Sequence, residues 1–178
     1  MTTIIDGTAG ITFPVVAGSA SAVQASSGRV LQVVQTVKTD TFSTGSSYAA
    51  VTGLSASITP SSSSSKVLIM VSLGGVSADN SSFKMGMYRG ATPIYVGDTA
   101  GSRTSVSAQG QTGATYAVQS TAWSYLDSPA TTSATTYQVY LGSNGSVTVY
   151  LNRTTRDTNT STEDARSASS IILMEIAA

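Results

Sequence analysis

The sequence predicts an all-β protein: an antiparallel two-sheet sandwich of jelly-roll type, with an extended N-terminal arm. Three observations predict it. From Arg29 onward apolar residues, many of them β-branched, recur with period two. No stretch carries the Ala, Leu, Glu and Lys content of a helix. Turn residues divide the chain into about nine or ten strand-length runs. A chain of 178 residues suits one domain plus an extension and can bury a core without staples. The division is an arm over 1–28 and a sandwich over 29–178.

In the arm, IIDGTAGITFP sets Ile4, Ile5, Ile11, Phe13 and Pro14 around Gly7 and Gly10, ahead of a polar spacer. The glycines let an extended chain bend, and the apolar residues on either side suit docking that orders on binding. RVLQVVQTVKTDTF (29–42) puts Leu31, Val33 and Val37 on one side. Adjacent Val33 and Val34 suggest a bulge or a strand buried on both faces. YAAVTGLSASITP (48–60) alternates Leu54, Ala56 and Ile58 with Ser55, Ser57 and Thr59 until Pro60 stops it. Ser61 to Ser65 form a polar turn. KVLIMVSLGG (66–75) is apolar on both phases, as in the middle of a sandwich; helix is the alternative, but the run is short and ends in Gly74 and Gly75.

FKMGMYRG (83–90) lines up Phe83, Met85 and Met87, and ATPIYVGD (91–98) follows as the adjacent strand. The methionines read as core filling. After the Gly, Ser and Gln-rich stretch 101–114 come three alternating runs: TYAVQSTAWSYLDSP (115–129), TYQVYLGS (136–143) and SVTVYLNR (146–153). Asn144-Gly145 between the last two predicts a tight hairpin, whose turn residues need positive φ. The polar loop 153–169 precedes SIILMEIAA, a strand apolar on both phases that places the C-terminus inside a sheet.

Composition narrows function. Cys and His are absent, which removes the thiol nucleophile, the usual general base and most transition-metal sites, so the reading carries no catalytic residue and no cofactor. Formal net charge is zero, 10% of residues are charged, and roughly a third are Ser or Thr. Arg29, Lys38, Lys66, Lys84, Arg89 and Arg103 stand singly, unlike the clusters that bind nucleic acid. No run is long enough to cross a bilayer, and Asp6, Gly7 and Gly10 interrupt any signal-like start, which points to a chain kept in the cytosol. The sequons at Asn80, Asn144, Asn152 and Asn159 then carry little meaning.

The remaining chemistry is sparse. Asp6, Asp40, Asp79, Asp98, Asp127, Asp157, Glu163, Asp164 and Glu175 are mostly isolated near turns, with Asp127 in LDSP read as a turn residue. A glycosidase pair would need two of them to converge. Ser63 to Lys66 and Ser81 to Lys84 match S-x-x-K, but both run into strands, where residues three apart face opposite sides. Asp157, Glu163 and Asp164 offer oxygen ligands without the spacing of a calcium loop, so a solvated loop is preferred and no metal site is assigned. Trp123 and Tyr125, on one side of their strand with Tyr116 nearby, suit a packed sheet face or subunit contact better than a sugar platform.

Six phrases carry a resemblance: TTIIDGTAGITFP, RVLQVVQTVKTDTF, SITPSSSSSKVLIMVS, YRGATPI, YLDSPATTSATTYQVYL and SSIILMEIAA. In this order, with this beginning and end, they resemble a family of tailed-phage virion proteins of aquatic bacteria. The resemblance implies a trimeric β-sandwich displayed as a capsid decoration (cement) knob or as a tail-fibre end. Its partner would be the major capsid protein or a tail or baseplate adaptor, and its location the particle surface after assembly in host cytoplasm. The sequence shows no heptads, G-X-Y triplets or tandem repeats of a fibre shaft. The expectation is therefore a non-enzymatic decoration protein held by its N-terminal arm. A short tail fibre or receptor-binding tip, with loops 99–114 and 153–169 on the host, is the alternative.

Overall fold

The computed structural model describes residues 27–159 and 162–178, together with the strand backbone of 4–6 and 10–12. Thirteen strands are assigned: β1 (Ile4–Asp6), β2 (Gly10–Thr12), β3 (Val30–Lys38), β4 (Phe42–Thr44), β5 (Ala49–Ile58), β6 (Lys66–Ala78), β7 (Ser81–Arg89), β8 (Thr92–Ile94), β9 (Ala108–Thr112), β10 (Gln119–Asp127), β11 (Thr135–Ser143), β12 (Val149–Leu151) and β13 (Ser169–Ile176). No helix occurs among the described residues. Strands β3 to β13 form two antiparallel sheets packed face to face, and β1 pairs β2 separately.

The first sheet is organised by β6. Its thirteen residues are long enough for β13 to pair along 66–72 and β12 along 76–78, while β10 pairs the opposite edge over 67–76. β3 lies outside β13 and β4 outside β12, so the order from edge to edge is β10, β6, β13 with β12, and β3 with β4. The second sheet runs β5, β11, β7, then β8 with β9. Its outer pair takes consecutive lengths of β7, whose residues 87–89 pair β8 and 81–85 pair β9.

The inward phases of the strands meet as one core. Leu54, Ile58, Phe83, Met85, Met87, Tyr137 and Leu141 of the second sheet face Val67, Ile69, Val71, Leu73, Leu151, Ile171 and Leu173 of the first, all of them buried. Alternation read from the sequence thus finds the core in β5 and β7. The Gly90–Ala91 turn joins β7 to β8 with Gly90 at φ 56°, and Pro93 sits in the short β8, where its missing donor does no harm.

Three sequence expectations are corrected. Leu31, Val33 and Val37 do share one side, the exposed outward one, with Val34 packed on the core; the correction is that β3 neither bulges at Val33 and Val34 nor is buried on both faces, its register shift falling beside Val30 and Gln32. Asn144-Gly145 closes no hairpin, because β11 and β12 belong to different sheets and neither residue has positive φ. A sheet-to-sheet crossing overrides the local turn preference there, with Asn144 Nδ2 donating to Ser82 Oγ at 2.7 Å. The stretch 101–114, read as loop, contains the polar strand β9.

In a chain without disulfides, buried polar hubs hold strand ends together. Asn152, fully buried at φ 63°, donates from Nδ2 to the carbonyls of Lys38 (2.9 Å) and Asp40 (3.0 Å) and accepts from Ser169 Oγ (2.6 Å). Its backbone N–H reaches Gly75 O at 2.8 Å, so one residue fastens β3, β6, β12 and β13. Gly74 lets these strands close, since a Cβ there would collide with the Ala168 carbonyl.

Glu175 is the second hub. Its carboxylate accepts from Gln32 Nε2 (2.6 Å), the Ser61 backbone N–H (2.7 Å) and Ser61 Oγ (2.6 Å), tying β13 to β3 and to the turn after β5. Burial alone would raise its pKa, but these donors outweigh it and hold the group at about 2. An unfolded glutamate titrates near ~4.3, so the stabilisation is fully present above about pH 4.5 and is lost as pH falls toward 2. The difference corresponds to about 3 kcal/mol. Urea denaturation across this range should show a steep loss of stability that Glu175→Gln largely flattens; a parallel loss in the variant would assign the acid sensitivity elsewhere.

Candidate interaction surfaces

Several of the charged residues flagged in the sequence join elements of the framework. Asp127 is the buried last residue of β10, not a turn residue. It accepts from Arg89 Nη1 at 2.8 and 3.0 Å and from Tyr137 OH at 2.7 Å, joining β7, β10 and β11 at one end of the sandwich. Burial, then the Asp127 carboxylate, drives the Tyr137 phenol well above its ordinary pKa, so it stays a donor. Lys66 Nζ donates to Ser128 Oγ (2.9 Å) and Lys84 Nζ to Thr104 Oγ1 (3.1 Å), so neither lysine is paired with its S-x-x-K serine.

The loop after β12 is closed by its own charges. Asp164 accepts from Thr154 Oγ1 (2.6 Å), Arg156 Nε (3.0 Å) and the Thr158 N–H (2.9 Å), and the Thr154 bond is the main reason its pKa is lowered. Arg156 also reaches Glu163 at 3.1 Å, and Asp157 pairs Arg153 and Arg166. These carboxylates neutralise arginines. Among the described residues no three acidic side chains converge as a metal site.

Trp123 and Tyr125 share the inner side of β10 and pack against the core, Tyr125 meeting Tyr95 at 5.2 Å between ring centroids. Tyr116 stands apart and exposed, with the Arg156 guanidinium 5.6 Å from its ring. The aromatic group that does form is Tyr48, Tyr88 and Tyr140 on the outer face of the second sheet. Tyr88 and Tyr140 stack at 3.9 Å, and Tyr48 tilts against them at 6.1 and 5.8 Å. Gly86 and Gly142 make the recess for Tyr48: a Cβ at Gly86 would collide with its hydroxyl, and one at Gly142 would lie 2.9 Å from its Cα. Burial raises the Tyr48 pKa, with Tyr88 adding to the shift. The signal in the sequence was the outward phase of FKMGMY and YQVY, but only strand register shows that the rings meet.

The outer face of the first sheet is different in kind. Its rows run across β3, β13, β6 and β10: Val33, Met174, Leu68 and Leu126 in one, Gln35, Ile172, Met70 and Ser124 in the next, then Val37, Ser170, Ser72 and Ala122. Val33 is 55% exposed, Val37 53%, Leu126 46% and Met70 41%. A shallow depression of about 340 Å³ opens where the small residues Ser72, Ala122, Ser124 and Ser170 lie beside Met70 and Ile172. Along the outward phases of these strands the one charged side chain is Lys66, at the end. The outer faces of the two sheets therefore differ, tyrosines on the second and exposed aliphatic side chains on the first.

Of the arm residues, Ile4, Ile5 and Ile11 lie on β1 and β2, which pair antiparallel with Ile5 opposite Ile11 and Ile4 opposite Thr12. Phe13 and Pro14 lie outside the described residues. No protein-family model matches the chain, and no curated protein matches it in sequence.

The tyrosine inlay has a testable consequence. Tyr48→Ala should cost about 2–3 kcal/mol by chemical denaturation, since it uncovers two glycines and removes a largely buried ring. Gly86→Ala should cost a comparable amount and release the Tyr48 phenol to titrate nearer the ordinary tyrosine range; unchanged stability in both would show the inlay to be decorative.

Proposed function

We propose that this chain is a non-enzymatic structural protein of a phage virion, a capsid decoration (cement) protein that forms homotrimers and stabilises the shell. The observation that carries the reading is the exposed apolar face of the first sheet, on a framework whose buried polar and charged groups serve to join strands. A catalyst needs convergent reactive groups in a cleft, whereas an assembly protein needs a rigid body with surfaces left for neighbours.

Taking β3 with β4, β8 with β9 and β12 with β13 as single interrupted strands gives two four-stranded sheets, ordered first-eighth-third-sixth and second-seventh-fourth-fifth. This order supports the jelly-roll reading, an architecture used in capsid proteins. The N-terminal segment, with Ile4, Ile5, Ile11, Phe13 and Pro14, is the part proposed to dock on the major capsid protein. Nucleic acid and membrane are not expected partners, because Lys66, Lys84 and Arg89 stand singly and hydrogen-bond within the fold, while Arg153, Arg156 and Arg166 pair with carboxylates of their own loop. The outer tyrosine group favours a second reading, a short tail fibre or receptor-binding tip, since stacked aromatic faces suit a saccharide.

Quantitative labelling of purified particles separates the two. Many copies over the head lattice are expected, and replacing Ile4, Ile5, Ile11 and Phe13 by serine should abolish attachment to the particle. Copies confined to the tail, together with purified chain that blocks adsorption to cells, would overturn the decoration reading in favour of the tip.

A further inference from the structure

The apolar outer face of the first sheet has no cover within the described residues, and its shape and composition indicate what covers it. The row Val33, Met174, Leu68 and Leu126 forms a ridge across β3, β13, β6 and β10. The depression lined by Met70, Ser72, Ala122, Ser124, Ser170 and Ile172 begins in the next row. Ridge and hollow therefore belong to one face of one molecule, one residue row apart.

We propose that this face is the contact between copies of this chain, with the ridge of one copy seated in the hollow of its neighbour. The inference rests on the assembly reading above and names the partner of that surface. In a homotrimer the ridge of each copy would enter the hollow of the next, a head-to-tail contact that closes as a ring. The area agrees: four strands spaced about 4.8 Å, each contributing about eight residues at about 3.3 Å, give roughly 500 Å² per copy. A pair then buries about 1,000 Å², the size at which specific interfaces begin.

Charge agrees as well. The chain has zero formal net charge, and along these outward strand phases the one charge is Lys66, whose Nζ bonds Ser128 of its own chain. Two such faces meet without repulsion and without stranding an ion. The hydroxyls in the hollow, at Ser72, Ser124 and Ser170, are small enough to admit a Met or Leu side chain from across the contact. Burial of an edge-to-edge apolar row also explains why Val33 and Val37 face outward on a strand whose inward phase carries Gln32, Thr36 and Lys38 beside the core residue Val34.

The test uses the full chain in light scattering and sedimentation at micromolar concentration. Wild type should have a multi-subunit mass. Val33→Lys with Met70→Lys should sediment as a monomer with unchanged far-UV circular dichroism. Ser124→Arg, which fills the hollow and leaves the core alone, should do the same if the double variant fails to fold. Lys84→Glu, on the opposite sheet, should keep the wild-type mass, as should replacement of Ile4, Ile5, Ile11 and Phe13 by serine. A monomeric wild type, or face variants that remain multimeric, overturns the proposal. Loss of the multimer on altering the N-terminal residues would assign the face to that segment and overturn it too. Mass in solution and location on particles are separate readouts: a head-lattice protein that is monomeric sinks this inference alone, and a multimer absent from particles sinks the virion reading alone.

Discussion

Every layer of the structure depends on β6. Its thirteen residues supply the pairing edge for β10 on one side and for β13 and β12 in succession on the other. Its inward phase gives Val67, Ile69, Val71 and Leu73 to the core, and its outward phase gives Leu68 and Met70 to the exposed face. One strand thus fixes the register of both neighbours, the centre of the core and the middle of the proposed contact surface. A one-residue slip would exchange its two faces and leave both without their side chains.

Because the chain has no disulfide, the ends of the strands are joined by polar groups placed where several backbones converge. Asn152 and Glu175 do this within the first sheet, and Asp127 with Arg89 and Tyr137 joins the two sheets. Each is buried, and each is satisfied by several partners, so deleting one partner strands the rest. Among the described residues Lys38, Asp127 and Glu175 are the buried charged groups, and the exterior carries hydroxyls and scattered charges, with three tyrosines on one sheet and aliphatic side chains on the other.

Much of this was legible in the sequence. The all-β class and the inward phases of β5 and β7 follow from period-two alternation, which reports directly which side of a strand is buried, and the position of β13 inside its sheet follows from its being apolar on both phases. What failed was information carried between distant segments. Asn144-Gly145 has the local chemistry of a hairpin, but its flanking strands find partners in opposite sheets. Asp127 and Glu175 look like isolated carboxylates until Arg89, Tyr137, Gln32 and Ser61 arrive from elsewhere. β9, AQGQT, has no apolar signal because it is a polar edge strand. The apolar outer face was half legible: 66–75 and 170–178 read as apolar on both phases, yet that pattern alone suggested burial within the chain, whereas Met70 stands exposed.

The described residues thus form a two-sheet body with three tyrosines on one outer face and an apolar second face, and the proposed assembly requires that second face to be covered when the protein works. Peroxide oxidation of methionine, followed residue by residue in the native full-length protein, tests this most directly, because the thioether reacts only where solvent reaches it. Met85 and Met87, fully buried in the core, set the protected rate. If the account holds, Met70 and Met174 will react nearly as slowly as these two and accelerate on dilution. Rapid oxidation of Met70 in the concentrated native protein, at the rate of an open side chain, would contradict it.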